Sequence, residues 1–168
     1  MGGLAWALFS TPGRRQRTEA LWGAVYFETS TSKNGVDFVD ERFGSQHPRI
    51  TLVTGSAGNK AYDRRKEIVE AAQHRIDSFI FTAEDTDTEP FIDICMEMQR
   101  YITVPGIAST VISDRPSAVT NAIYDARAHA DRFNIILIIG KGDERWIKDH
   151  NKHVPFEGDD RIVERMFA

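Results

Sequence analysis

The sequence predicts an α/β fold in which a mainly parallel sheet of about six strands lies between layers of helices. Three observations lead there. Short apolar runs at residues 24–27, 50–54, 78–82, 109–112 and 134–139 have the length of buried strands. Between them stand segments with apolar residues at helical spacing, and this alternation calls for parallel strands joined by helical crossovers. The last run, Ile135-Ile136-Leu137-Ile138-Ile139, is apolar without interruption and stops at Gly140-Lys141-Gly142-Asp143-Glu144. A strand buried on both faces delivers polar groups to the rim of such a sheet in this way, and ligands bind at that rim.

The helical segments are expected at 35–43, 63–74, 89–100 and 117–130. The second shows the spacing well, with Ile68, Val69, Ala72 and Ile76 following an Arg-rich start. Asp114-Arg115-Pro116-Ser117 has the form of a helix entry, and Asp159-Asp160 is placed to cap a final helix through Met166. Residues 10–18, 29–35 and 148–158 have loop composition, and no internal repeat or low-complexity segment is present. Together these elements make a three-layer, Rossmann-like domain.

A chain of 168 residues fits one domain with a substantial core. Its net charge of −4 argues against a generic nucleic-acid binder. Cys95 is the single cysteine, which rules out an internal disulfide and suits a small core residue in a reducing compartment. The apolar start Met1–Phe9 is short and lacks a basic leader, so neither a signal nor an anchor is expected, and no run approaches bilayer length. A cytoplasmic protein is expected.

Two loops carry candidate chemistry beside the Gly-Lys-Gly turn. Thr54-Gly55-Ser56-Ala57-Gly58-Asn59-Lys60 follows a strand and precedes a helix, so its backbone N–H groups and Lys60 are candidates to hold an anion. It does not satisfy the P-loop pattern, because the spacing differs and no Ser or Thr follows Lys60 to hold Mg²⁺. Thr82-Ala83-Glu84-Asp85-Thr86-Asp87-Thr88-Glu89-Pro90 brings acids to the same rim. His150 and His153 lack the further ligands of a metal site, so no metal is expected, and nothing supports covalent hydrolase chemistry.

Gly140-Lys141-Gly142-Asp143-Glu144, read with Pro155-Phe156 and Asp159-Asp160, resembles the C-terminal domain signature of the Mur ligases. The likeness is closest to the UDP-N-acetylmuramoyl-tripeptide synthetases of MurE type and runs from about Arg49 to Met166. Pro12-Gly13-Arg14 is similar to the turn by which the family's central ATPase domain passes to its C-terminal domain. On that basis residues 1–11 are an extension or remnant of the central domain, and residues 12–168 are the C-terminal domain.

The resemblance implies an ATP-dependent acid–amino-acid ligase of peptidoglycan precursor synthesis. ATP and Mg²⁺ serve the intact enzyme, and none is expected to be held by this chain alone. It further implies that Gly140 and Glu144 bind the α-amino group of the incoming amino acid and that Lys60 faces a carboxylate or phosphate. Family members that add meso-diaminopimelate carry Asp-Asn-Pro-Arg where this chain has Glu84-Asp85-Thr86-Asp87. Asp87 in place of the Arg inverts the recognition charge, a difference of roughly 1–3 kcal/mol in favour of a cationic side chain. Asp85 and Asp87 are therefore expected to bind the side-chain ammonium of L-lysine or ornithine.

The family's nucleotide-contacting Asp-Tyr-Ala-His motif is replaced here by Glu28-Thr29-Ser30-Thr31-Ser32. The expected partners are the amino acid, the UDP-N-acetylmuramoyl dipeptide and the family's central ATPase domain, with neither nucleic acid nor membrane. The chain alone is not expected to be a competent enzyme. Two other readings stand beside this one: a non-catalytic binding module derived from a Mur ligase, and a domain like that of the folylpolyglutamate synthetases.

Overall fold

A computed structural model describes residues 4–11, 21–28 and 31–167. Six strands form one sheet in the order β2-β1-β6-β3-β4-β5. Four of them, β3 (Arg49–Thr54), β4 (Ser78–Thr82), β5 (Ala108–Ile112) and β6 (Asn134–Ile139), pair in parallel. Their crossovers are α2 (Tyr62–Ala72), α3 (Phe91–Arg100) and α4 (Arg115–Ala128). The α/β class and mainly parallel sheet read from the sequence are thus the observed architecture.

Side-chain alternation on β6 separates the two helical layers. Ile135, Leu137 and Ile139 face a core made with α1 (Ser32–Phe43), α2 and α3, where Val39, Val69 and Met98 are fully buried. Ile136 and Ile138 face the opposite core, built from Ala118, Val119, Ala122 and Ile123 of α4 and Ile162 of α5 (Asp159–Phe167). Both faces are covered, which is why this strand is apolar throughout. Cys95 lies in the first core, and burial pushes its thiol pKa up to about 12.

Local sequence accounts for the helix starts. Thr31 caps α1 by accepting from the Asn34 amide at 3.1 Å, and Asp114 caps α4 by accepting from Ser117 N at 3.0 Å. Pro116 sits in the first turn of α4, where its missing N–H costs nothing.

Two expectations change. Residues 1–11, read as an extension or remnant of the central domain, include strand β1 (Leu4–Thr11), which runs antiparallel to both β6 and β2 (Leu21–Glu28) and so lies inside the sheet. Its pairing from Ala5↔Ile139 to Ser10↔Asn134 satisfies a flank of β6 that would otherwise be an exposed edge. Residues 148–158, read as a loop, contain most of a hairpin, β7 (Trp146–Asp149) and β8 (Lys152–Pro155). His150 and Asn151 both take positive φ, 45° and 59°, which makes the two-residue turn whose twist matches antiparallel strands. The Pro12-Gly13-Arg14 turn and Thr29-Ser30 lie outside the described residues. Among the described residues no helix is long and apolar enough to cross a membrane.

Candidate functional site

The C-terminal ends of β3, β4 and β6 release three loops onto one rim, and short polar contacts tie them together. Gly58 N donates to the Asp85 carbonyl at 2.8 Å, Asn59 N to Glu89 Oε2 at 2.7 Å, and Asn59 Nδ2 to Thr88 Oγ1 at 2.7 Å. These bonds require close approach. A Cβ on Gly58 would collide with the Thr86 carbonyl, so only glycine fits. Behind this seam the buried Arg65 guanidinium donates to Glu89, to Glu97 and to the Ala57 carbonyl. The loop after β3 is the one whose backbone N–H groups and Lys60 the sequence offers as candidates to hold an anion. Its Gly58 and Asn59 amides already serve protein acceptors, and Lys60 stands exposed at its end.

Lys141 forms the second seam. Its side chain is 1% exposed; the ammonium lies 2.9 Å from Asp85 Oδ1, pairs with Glu144 and sits 4.3 Å from the Trp146 ring centroid. Asp85 Oδ1 also accepts from Lys148 N at 2.9 Å. Asp87 docks the hairpin. Its N–H donates to the Lys148 carbonyl at 3.1 Å, and its carbonyl accepts from His150 N at 3.1 Å. Its carboxylate accepts from Asn151 N at 2.7 Å and lies 3.3 Å from Lys148 Nζ. The Asn151 amide, with help from Lys148, holds the Asp87 carboxyl below the usual carboxylate range.

Asp85 and Glu144 thus meet through Lys141, Asp87 follows two residues after Asp85 beyond the C-terminal end of β4, Gly140 directly follows β6, and Lys60 ends the loop after β3. Gly140 has φ 135°, and a Cβ there would lie 3.1 Å from Glu84 Oε2. A cavity of about 790 Å³ opens between the β4–α3 loop, the start of α4 and the hairpin. Of the five residues only Asp87 lines it, over a floor that includes Phe91, Pro116, Val154 and Phe156.

Three further residues shape the rim: Glu84 stands in the acidic run read as reaching it, whereas no sequence pattern marks Arg115 or Lys148 as a site residue. Glu84 is buried, which raises its carboxyl pKa against the opposing charges of Arg64 and Arg115, and its Oε2 has no hydrogen-bond partner among the described residues. Arg115 is wholly buried and forms a bidentate pair with Asp159, both bonds 2.8 Å, while donating to the Ile139 and Ala83 carbonyls. The Asp-Arg dipeptide was legible as a helix entry; its reach to α5 was not. Lys148 lies in the segment read as a loop, and only the hairpin brings it to Asp87.

No protein-family model matches the chain. Among curated proteins, the UDP-N-acetylmuramyl-tripeptide synthetase of Bifidobacterium longum (strain NCC 2705) is 80% identical over 133 residues, 79% of this chain and 26% of that protein. The UDP-N-acetylmuramoyl-L-alanyl-D-glutamate--L-lysine ligase of Enterococcus faecalis (strain ATCC 700802 / V583) is 30% identical over 165 residues, 94% of this chain and 31% of that one. The chain therefore spans between a quarter and a third of the length of these relatives. A solved UDP-N-acetylmuramoyl-L-alanyl-D-glutamate--2,6-diaminopimelate ligase shares the fold, with a TM-score of 0.69 at 19% identity over 86% of this chain and 29% of that one. With its Gly-Lys-Gly-Asp-Glu turn, its α/β sheet and this close likeness to a tripeptide synthetase, the chain belongs to the Mur ligase family, in its MurE-like branch.

Proposed function

We propose that the chain is the amino-acid-binding C-terminal domain of a cytoplasmic, ATP-dependent UDP-N-acetylmuramoyl-peptide ligase, and that it takes a basic amino acid, L-lysine or L-ornithine. The observation that carries this reading is the convergence of three carboxylates, Asp85, Asp87 and Glu144, on one rim through Lys141 and Lys148. An acid at position 87 favours a cation at the far end of the substrate. The Enterococcus faecalis relative, whose name specifies L-lysine, fits the same reading.

In this assignment Glu144 and the Gly140 carbonyl hold the α-ammonium, Asp85 and Asp87 the side-chain ammonium, and Lys60 a carboxylate or phosphate. Glu144 is suited to its part because its side chain is 45% exposed while Lys141 anchors it from beneath. In the intact ligase, activation of the terminal carboxylate of the UDP-N-acetylmuramoyl dipeptide spends ATP with Mg²⁺. The residues assigned here act on the amine rather than on the nucleotide. Their contribution is to bind the amine and orient its nitrogen toward the activated carbonyl, which lowers the entropic part of the barrier.

An amide NMR titration with L-lysine, L-ornithine and meso-diaminopimelate tests the reading. Shifts at Lys60, Asp85, Asp87 and residues 140–144 with lysine or ornithine, and not with diaminopimelate, are expected. No shift with any of the three at millimolar ligand would overturn it.

A further inference from the structure

We propose that Lys148 is a specificity-determining residue that acts through Asp87, its ammonium holding one carboxylate oxygen until the side-chain ammonium of a basic amino acid replaces it. This rests on the reading that Asp87 receives that ammonium.

The two oxygens of Asp87 are held differently. Oδ1 accepts from the backbone amide of Asn151 at 2.7 Å, a donor fixed by the hairpin turn. Oδ2 faces Lys148 Nζ at 3.3 Å, a looser contact made by the end of a four-carbon stem. The backbone of Lys148 is anchored, because its N–H donates to Asp85 Oδ1 and its carbonyl accepts from Asp87 N. Its side chain is 38% exposed, against 14% for that of Asp87. A fixed Cα with a partly solvated head on a flexible four-carbon stem can withdraw into water without disturbing the hairpin.

Exchange of one ammonium for another on Oδ2 keeps Asp87 paired throughout, so its carboxylate is never left without a cation. The consequence is selective. A ligand with a distal cation must displace Lys148, whereas an uncharged isostere gains nothing from its removal. Lys148 therefore lowers the affinity for the basic substrate while keeping the pocket ordered in its absence. Asp87 alone, at φ 54° and bridged to Asp149, could not set this balance, since its position is locked.

The test compares binding of L-lysine, L-norleucine and meso-diaminopimelate to the wild-type chain, Lys148→Met and Lys148→Arg by NMR titration. Lys148→Met should bind L-lysine about two- to fivefold more tightly, the range expected when one exposed ion pair no longer competes. L-Norleucine binding should be unchanged, and Lys148→Arg should behave as the wild type. The amide resonances of His150 and Asn151 report whether the hairpin survives, and Lys148→Gln replaces the Met variant if it does not. Unchanged or weaker L-lysine binding with those resonances intact would overturn the competition while leaving the role of Asp87 in place, provided that Asp87→Asn still weakens L-lysine. Tighter binding of meso-diaminopimelate by the wild type, lost in Lys148→Met, would show Lys148 reading a carboxylate and would also overturn it. Failure of both the wild type and Lys148→Met to bind L-lysine would instead sink the underlying reading of the site.

Discussion

Lys141 and Asp85 are 56 residues apart in sequence, yet the Lys141 ammonium lies 2.9 Å from Asp85 Oδ1. The contact joins the exit of β6 to the exit of β4, so one buried cation sets the spacing between the candidate α-ammonium and side-chain ammonium sites. Lys141→Met keeps the apolar stem against Trp146 but removes the charge from a site with two carboxylates. A stability loss of about 1–3 kcal/mol is expected, the usual cost of leaving a charged hydrogen-bonding partner unsatisfied. Urea unfolding measures the loss, and a parallel titration should show weaker L-lysine binding. Unchanged values in both assays would mean that Lys141 does not organise the rim.

The Arg115–Asp159 pair ties α4 to α5 beneath the same rim. Both side chains are essentially without solvent contact, so removal of one leaves a buried charge. Arg115→Met should cost about 3–5 kcal/mol in chemical denaturation, and the double variant Arg115→Met with Asp159→Leu should recover part of it. The recovery is incomplete because the Ile139 and Ala83 carbonyls also lose their donor. Full additivity of the two single effects would argue against direct coupling.

Gly58 is constrained by contact rather than by backbone conformation. Gly58→Ala forces a methyl group into the Thr86 carbonyl, separating the β3–α2 loop from the β4–α3 loop. Overpacking of this kind costs about 1–3 kcal/mol. Hydrogen exchange at the Gly58 and Asn59 amides should accelerate more than exchange in the β3 core, and equal acceleration in both would refute a local seam.

Glu84 gives the rim a defined pH dependence. Burial raises its carboxyl pKa above the ordinary 4.5, so the folded protein keeps this proton where the unfolded chain has already released it. Its contribution is then greatest below the unfolded pKa and is lost as pH rises through the folded one. Glu84→Gln removes that decline. The stability difference between variant and wild type should grow in the variant's favour as pH rises from about 4 toward neutrality, as measured by unfolding at several pH values. A parallel pair of pH profiles would refute the assignment.

The parallel strands and their helices were readable in the sequence because each signal is local. The period of Ile68, Val69 and Ala72 and the unbroken run 135–139 encode which faces are buried, and Asp114 sits beside the amide that it caps. Two elements were not readable. Strand β1 stands next to residues of loop composition, and its place between β2 and β6 depends on a partner more than a hundred positions away. The β7–β8 hairpin turns through His150-Asn151, which lacks the glycine that usually announces such a turn, and β8 is exposed along its whole length, so no hydrophobic alternation marks it.

By itself the sequence determined the α/β class, the order of most elements, the acids and glycines that reach the rim, and the resemblance that names the family. Tertiary structure alone decided what those groups touch: that Lys141 spans Asp85 and Glu144, that Arg115 grips Asp159, and that Lys148 meets Asp87. The physical reason is range. Burial period and capping act within a turn or two of chain, whereas these ion pairs mostly close over distances along the chain that only the packed sheet brings together.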